Sequence, residues 1–257
     1  GGRAELKGCE FLSTGSYHKD ETAFGCFVDD QGVLIAHKCG FGSRVGSSSG
    51  LYLAAGGQAV LHGCNATQGL ARGFLVSDRG TKLVAHSCRV RGSEMHAHLD
   101  DGAVASLVDC QLGGGANGRT IVIGRDTVLN AKGCSFSGSQ GMSIVEGATA
   151  KMNACAFDSC EESGCRVEGL SSLFAVQCSF SGNGQSGVIA FEDSVIDLKE
   201  CMLNRNGIGL YVKSGGAATM CAASACEMNS NQEYGMLAQG SGAQVHMTEC
   251  VSRSNRR

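Results

Sequence analysis

The chain has 257 residues and a formal net charge of −3, and its acidic and basic residues are interspersed along the sequence. No basic stripe and no apolar run of membrane-spanning length is present, which argues against nucleic-acid binding and membrane insertion. With 39 glycines and no proline, the composition favours many tight turns between strands whose N–H groups are all engaged.

The most regular feature along the chain is a series of eleven cysteines, most of them 21 to 25 residues apart. A fixed period in this range indicates one structural unit stacked on itself many times. We call them the ladder cysteines, and they are Cys9, Cys39, Cys64, Cys88, Cys110, Cys134, Cys155, Cys178, Cys201, Cys226 and Cys250.

Each repeat carries apolar residues five and three positions before its ladder cysteine, as at Leu34 and Ala36, and every repeat except the last carries one two positions after it, as at Phe41. Alternation of this kind predicts short strands with one buried face on both sides of the cysteine. A third strand follows a glycine-rich turn in several repeats, at 50–53, 73–76, 187–190 and 209–212.

Three short strands per repeat predict an all-β, single-stranded parallel β-helix solenoid. It would have about ten or eleven rungs of roughly 23–24 residues, where a rung is one turn of the coil. Cysteine, leucine, alanine and phenylalanine ladders would fill its interior. We expect residues 1–257 to form one such domain.

Segments such as 178–190 and 194–201 resemble the repeats of right-handed parallel β-helices of the pectin-lyase-like superfamily. That superfamily includes pectate lyases, polygalacturonases, alginate epimerases and many non-enzymatic repeat domains. The resemblance implies a right-handed coil along the whole chain. The matching positions are the buried ones, so the resemblance says more about fold than about function.

The spacing favours a reduced ladder of buried thiols over disulfides, because parallel side chains on neighbouring rungs keep their Cβ atoms apart. Outside the ladder, Cys160 and Cys165 stand in what is predicted to be a polar turn and are a separate candidate for a disulfide. A thiol-rich interior favours a reducing intracellular or organellar compartment. No capping helix is visible at either end, so we expect a segment of a larger chain or protein partners that cover the ends.

A histidine column gives the first candidate site. His37, His62 and His86 each stand two residues before a ladder cysteine and would project outward on successive rungs. Imidazoles stacked in this way could share a transition metal, although no carboxylate stands beside them to orient the rings. A solvated polar column is the simpler interpretation, and no cofactor is expected.

The second candidate resembles an enzyme site because it mixes acids, bases and a cation. If the chain is an enzyme, the catalytic residues would come from His98, Asp100, Asp101, Arg125 and Asp126, with His96 close by. Polar turns between strands explain the same residues without any chemistry. The sequence motifs of polygalacturonases and lyases are missing.

The third candidate is an apolar row on the outward face of the third strands. An exposed apolar stripe on a rod more often marks a partner surface than a catalytic site. The row consists of Tyr52, Leu75, Val122, Ile189, Phe191 and Tyr211.

These features favour a non-catalytic scaffold or interaction protein, a subunit or segment of a larger assembly with protein partners. The alternatives are a carbohydrate-active enzyme (a polysaccharide lyase, hydrolase or epimerase) and a carbohydrate- or metal-binding module, so polysaccharide remains a candidate ligand.

Overall fold

The computed structural model describes residues 1–13, 24–43, 48–67, 70–114, 118–215 and 218–256. In these ranges the protein consists of strands joined by turns, arranged as three parallel sheets that wind around one core, as predicted. Within them, no helix has the length and apolar character needed to cross a bilayer.

Sheet A has eleven strands and contains the segment before each ladder cysteine. Its strands are β1 (Arg3–Lys7), β4 (Val33–His37), β7 (Gln58–His62), β10 (Lys82–His86), β13 (Val104–Val108), β16 (Val128–Lys132), β19 (Thr149–Asn153), β21 (Ser172–Val176), β23 (Val195–Lys199), β25 (Thr219–Ser224) and β27 (Ala243–Thr248).

Sheet B follows the ladder cysteines and has six strands. Beyond Phe136 it continues only as single bridges that run from Ser135 through Ala156 and on to Val251. The predicted second strand is therefore present in the first half of the coil and reduced to one residue in the second half. The six strands are β2 (Glu10–Ser13), β5 (Gly40–Ser43), β8 (Asn65–Thr67), β11 (Arg89–Arg91), β14 (Gln111–Leu112) and β17 (Ser135–Phe136).

Sheet C has ten strands and contains the predicted third strands. They are β3 (Phe24–Val28), β6 (Ser48–Leu53), β9 (Leu70–Val76), β12 (Met95–Leu99), β15 (Arg119–Ile123), β18 (Met142–Val145), β20 (Cys165–Val167), β22 (Ser186–Phe191), β24 (Ile208–Lys213) and β26 (Tyr234–Gln239).

The corner between sheets A and B explains the spacing of the cysteines. The residue before every ladder cysteine has a positive φ, between 49° and 63°, which turns the chain sharply into the next strand. Glycine occupies this corner only three times, at Gly8, Gly63 and Gly133. Elsewhere residues such as Lys38 and Gln177 adopt the left-handed conformation because the stacked rungs on both sides impose it.

The interior is filled by columns of like side chains, as the sequence predicted. Nine ladder cysteines are buried, and Cys9 and Cys250 are partly buried. Phe136, Phe157 and Phe180 form a buried stack with ring centroids 4.7 and 4.8 Å apart. All fifteen thiols are free. The placement of Cys160 and Cys165 in a polar turn was wrong, because both side chains are buried.

An asparagine ladder inside the second half of the coil was not anticipated. Asn183, Asn206, Asn231 and Asn255 each stand five residues after a ladder cysteine and bond to one another across the rungs. Cys160 occupies the equivalent position in its own rung, and its N–H donates to Asn183 Oδ1 at 2.9 Å. The column holds the turns between sheets B and C in register.

Candidate functional site

The predicted apolar row and His98 of the predicted enzyme-like cluster belong to the strands of sheet C, so its outward side is the first surface to consider as a ligand site. Strand pairing aligns one outward residue from each of the ten strands, about 4.8 Å apart. We call this row the sheet C face, and it consists of Phe27, Tyr52, Leu75, His98, Ile121, Ser143, Arg166, Ile189, Tyr211 and Leu237.

The prediction that Val122 faces outward was wrong. Val122 is fully buried, and its neighbour Ile121 pairs with His98 on the sheet C face. The offset has a physical cause, because β12 contains one extra residue opposite β15 and the register shifts between Met95 and Ala97.

The extra residue is His96, which sequence analysis grouped with the enzyme-like cluster. Its ring is fully buried inside the coil and packs against Gly118, where any side chain would collide with it. Neither ring nitrogen has a hydrogen-bond partner, and burial lowers the pKa of His96 to about 4. His96 is therefore a neutral core residue and does not belong to the surface cluster.

Of the five predicted catalytic residues, the structure brings His98 and Asp100 together. His98 Nε2 lies 3.0 Å from Asp100 Oδ2, and His98 Nδ1 lies 3.4 Å from Met95 Sδ. Both members of the pair are largely buried, with 18 % and 25 % of their side chains exposed. The carboxylate thus orients the imidazole, as in many acid–base pairs.

The electrostatics of Asp100 favour its charged form. Desolvation by itself would raise its pKa, but hydrogen bonds from His98 and Ser77 and the charge of Arg72 together hold the pKa of Asp100 below its usual value. Asp100 Oδ1 and Arg72 Nε are buried and lack hydrogen-bond partners. Arg72 and Ser77 were not among the predicted site residues, because their position near Asp100 depends on the register of β9 against β12.

The other three predicted catalytic residues lie in the turns that lead into sheet A and are exposed. Asp126 forms an ion pair with Arg79 two rungs away, and both side chains are mostly in water. Asp101 adopts a positive φ of 51° in its turn, and Arg125 packs along Gly147. The predicted five-residue cluster is therefore a two-residue pair beside a polar turn column.

Aromatic rings dominate one end of the sheet C face. Phe24, Phe27 and Tyr52 lie with their ring centroids 4.9 to 5.5 Å apart, and Phe27 is 48 % exposed. We call these three residues the aromatic patch. Of the three, only Tyr52 was predicted.

The other end of the sheet C face is more polar. Arg166 contacts Glu168 through two nitrogens at 2.7 and 3.0 Å, and its guanidinium lies 4.8 Å from the ring centre of Phe191. Tyr211 donates its hydroxyl to Gln239 Oε1 at 2.6 Å. The predicted residues Leu75, Ile189, Phe191 and Tyr211 are all half-buried, which leaves parts of their side chains available for contact.

The histidine column forms as predicted, but its geometry is poor for a shared metal. His37, His62 and His86 stack face to face with ring centroids 4.9 and 5.1 Å apart and planes within 9° of parallel. The ring nitrogens of parallel rings point side by side and do not converge on one ion. Burial and then the charges of its two neighbours lower the pKa of His62. Among the described residues, no group of three His, Cys, Asp or Glu side chains is placed to hold a metal.

Comparison with known proteins gives the family. The model of the right-handed beta helix region matches residues 96–252, which is more than half of the chain. The chain therefore belongs to the right-handed β-helix family, as its sequence repeats suggested. A search of curated protein sequences found no significant match.

Solved structures share the fold at very low sequence identity. The A-module of mannuronan C-5 epimerase AlgE4 from Azotobacter vinelandii superposes with a TM-score of 0.64 at 9% identity, covering 100% of this chain and 88% of that one. A catalytic domain of a GH87 alpha-1,3-glucanase in complex with tetrasaccharides gives 0.50 at 10% identity, covering 99% and 62%. At such identities these likenesses show the fold alone.

Proposed function

We propose that the chain is a non-catalytic scaffold whose sheet C face binds a protein partner. The observation that carries the proposal is the aromatic patch, in which three rings contact one another on the outside of the coil and Phe27 exposes 48 % of its surface. Protein interfaces concentrate aromatic residues at their centres, and buried rings supply much of their binding free energy.

Charges near the aromatic patch favour a protein over an acidic glycan. Asp29 and Asp30 follow β3 directly and are exposed beside the patch. Two carboxylates would repel a polyanion, whereas lysine or arginine side chains at the rim of a protein partner would complement them.

The aromatic patch is of a size to form the centre of a docking site but not the whole of it. An interface of ordinary size buries about 800 Å² on each partner, and three aromatic side chains supply only part of that area. Leu75 continues the apolar surface on the next rung, so a partner of modest size would cover two or three rungs.

The test compares one patch variant with a matched variant on another face. Phe27→Asp places a charge at the centre of the patch, and Phe174→Asp does the same on sheet A, where Phe174 is 38 % exposed. Each purified chain is immobilised and exposed to an extract of the source organism, and bound proteins are quantified by mass spectrometry.

We expect the same protein on the unchanged chain and on Phe174→Asp, and at least a tenfold lower yield on Phe27→Asp. Equal recovery on all three chains, or no specific protein on any of them, would contradict the proposal. Circular dichroism and thermal melting of each variant exclude unfolding as the cause of a loss.

A second candidate function, carbohydrate conversion, is favoured by the His98–Asp100 pair. An imidazole held by a carboxylate can act as a general acid or base, and the Arg72 charge beside it could attract a sugar carboxylate. The epimerase and glucanase that share the fold act on polysaccharides according to their names, which supports testing this candidate.

The enzyme candidate has its own matched variants. Mannuronan and α-1,3-glucan are incubated with the unchanged chain, His98→Gln, Asp100→Asn and the exposed control Asp101→Asn, and products are followed by NMR and reducing-end formation. Turnover that disappears in the first two variants and persists in Asp101→Asn would replace the scaffold proposal. Absence of turnover in all four chains is the result that the scaffold proposal predicts.

A further inference from the structure

All eleven ladder thiols make the same local contact. Each Sγ lies 3.3 to 3.6 Å from the backbone carbonyl oxygen two residues earlier in the chain. A contact repeated in every rung means that the cysteine side chains share one conformation. The sulfurs therefore form a row parallel to the axis of the coil.

The spacing of this row follows from the strands that hold it. Side chains with the same conformation on neighbouring parallel strands repeat at the strand separation, about 4.8 Å. Two cross-rung contacts support this alignment, because the N–H groups of Cys110 and Cys155 lie 3.4 Å from the sulfurs of Cys134 and Cys178 on the next rung. Each sulfur is thus directly above or below its neighbours.

A sulfur-to-sulfur separation of about 4.8 Å is too long for a disulfide, but it fits a metal ion held in a straight line between two sulfurs. A disulfide requires sulfurs about 2 Å apart, which would pull two rungs together. An ion held between two thiolates in a straight line needs twice a metal–sulfur bond of about 2.3 Å, or about 4.6 Å. The ladder offers that distance with little movement of the backbone.

We propose that neighbouring ladder thiols form binding sites for soft, thiophilic divalent cations, with Hg(II) as the type ion, one ion between two rungs. Thiolates select soft metals, and a straight row of sulfurs offers each ion two ligands in a linear arrangement. Zinc, which takes four tetrahedral ligands, has no such set within the described residues.

Charge balance in the interior favours a divalent ion. Each bridge forms two metal–sulfur bonds and breaks two S–H bonds, so one Hg(II) enters and two protons leave, and the product is neutral. A monovalent soft ion such as Ag(I) held between two thiolates would leave one negative charge among buried apolar side chains, which is costly, and avoiding that charge would leave one sulfur protonated and a poorer ligand. We therefore expect Hg(II) to bind more tightly than Ag(I).

Nine of the eleven ladder thiols are buried, so an ion must enter during transient opening of a rung. Uptake should be slow in water and faster at low urea concentrations that leave the fold intact. The site uses none of the residues in the proposed partner surface, so this inference is independent of the scaffold proposal.

The number of ions that the ladder can hold depends on which thiol is removed, and this dependence gives a specific test. Eleven thiols paired without sharing hold at most five ions. Removing Cys110 divides the ladder into runs of four and six, which still hold five ions. Removing Cys88 divides it into runs of three and seven, which hold four.

The experiment adds mercuric chloride alone to the reduced chain, to Cys88→Ala and to Cys110→Ala, and counts bound ions by native mass spectrometry. Cys165→Ala, which removes a buried thiol outside the ladder, is the control. Zinc chloride serves as the control metal. Proton release and the sulfur-to-mercury absorption band are recorded on the unchanged chain, so the test does not depend on the variants folding.

We expect five bridging ions in the unchanged chain, in Cys110→Ala and in Cys165→Ala, four in Cys88→Ala, and two protons released per ion. Equal counts in Cys88→Ala and Cys110→Ala, one ion per thiol, one proton per ion, or no uptake by the folded unchanged chain would each overturn the proposal.

Discussion

Asn206 Oδ1 accepts two hydrogen bonds from Asn183, one from its backbone N–H at 2.8 Å and one from its side-chain Nδ2–H at 3.1 Å. Both residues are fully buried, and Asn206 Nδ2 in turn donates to the carbonyl of Phe180 at 2.9 Å. The pair belongs to the asparagine ladder that joins the last four rungs. A buried polar column of this kind fixes the register because each broken bond leaves a polar group without a partner.

The asparagine ladder predicts a large and local cost of substitution. Asn206→Ala leaves the backbone N–H of Asn183 and the carbonyl of Phe180 unpaired, and we expect the free energy of unfolding to fall by about 3 kcal/mol. Asn153→Ala, at an exposed strand end, should change it by less than about 0.5 kcal/mol. Urea denaturation measures both values, and equal losses in the two variants would contradict the ladder's role.

The register of β15 predicts opposite outcomes at two adjacent residues. Val122→Asp buries a carboxylate in the core, so we expect the chain to fail to fold or to lose more than about 4 kcal/mol of stability. Ile121→Asp places the same charge on the sheet C face and should cost about 1 kcal/mol. Expression yield and thermal melting distinguish them, and a tolerated Val122→Asp would show that the strand faces the other way.

Buried His96 predicts a loss of stability in acid. Its pKa is about 4 in the folded chain and near 6.5 when unfolded, so between these pH values the unfolded chain binds more protons. This contribution to stability is present above pH 6.5 and is lost as the pH falls towards 4, and the loss amounts to roughly 2 to 3 kcal/mol by pH 4.5.

His96→Leu removes that contribution, so its unfolding free energy should fall less between pH 7 and pH 4.5 than that of the unchanged chain. The lowered pKa of His62 acts in the same direction and remains in the variant. Urea titrations at the two pH values measure the difference. An identical pH dependence in both chains would place His96 in contact with water.

Because the ion pair between Arg79 and Asp126 is exposed, we expect its removal to have almost no effect on the stability of the chain. The two side chains are 81% and 64% exposed, and ion pairs in water contribute about 0 to 1 kcal/mol. Arg79→Gln and Asp126→Asn should each shift the melting temperature by no more than about 2 °C. A larger shift of the melting temperature at low salt that is absent at high salt would contradict this prediction. It would show that the ion pair stabilises the chain more than exposed side chains should.

Much of the fold could be predicted because buried positions repeat at every turn of the coil. The alternation around residues such as Leu34 and Phe41, together with the cysteine period, predicted the strands of sheets A and B and the inward-facing ladders. The glycine-rich turns predicted the third strands at β6, β9, β22 and β24. These patterns are predictive because equivalent positions on successive rungs have the same environment, so each column repeats the same residue preference many times.

The site was less predictable because it depends on local departures from the repeat. One extra residue in β12 buried His96 and moved Val122 from the surface to the core, and neither repeat length nor composition signals such a bulge. Phe24 and Phe27 were not predicted because they lie within the long first interval between Cys9 and Cys39, where counting from the cysteines fails. The contacts of Asp100 with Ser77 and Arg72 required the register of neighbouring strands.

The central claim is that the chain is a β-helix whose ladder cysteines point inward. Its most direct test is thiol labelling of the folded chain, measured residue by residue with mass spectrometry. We predict that the nine buried ladder cysteines, Cys39 to Cys226, react with a bulky maleimide at least a thousandfold more slowly than in the urea-unfolded chain, whereas Cys9 and Cys250 react faster than those nine. Equal labelling rates of all ladder cysteines in the folded and unfolded chains would contradict it.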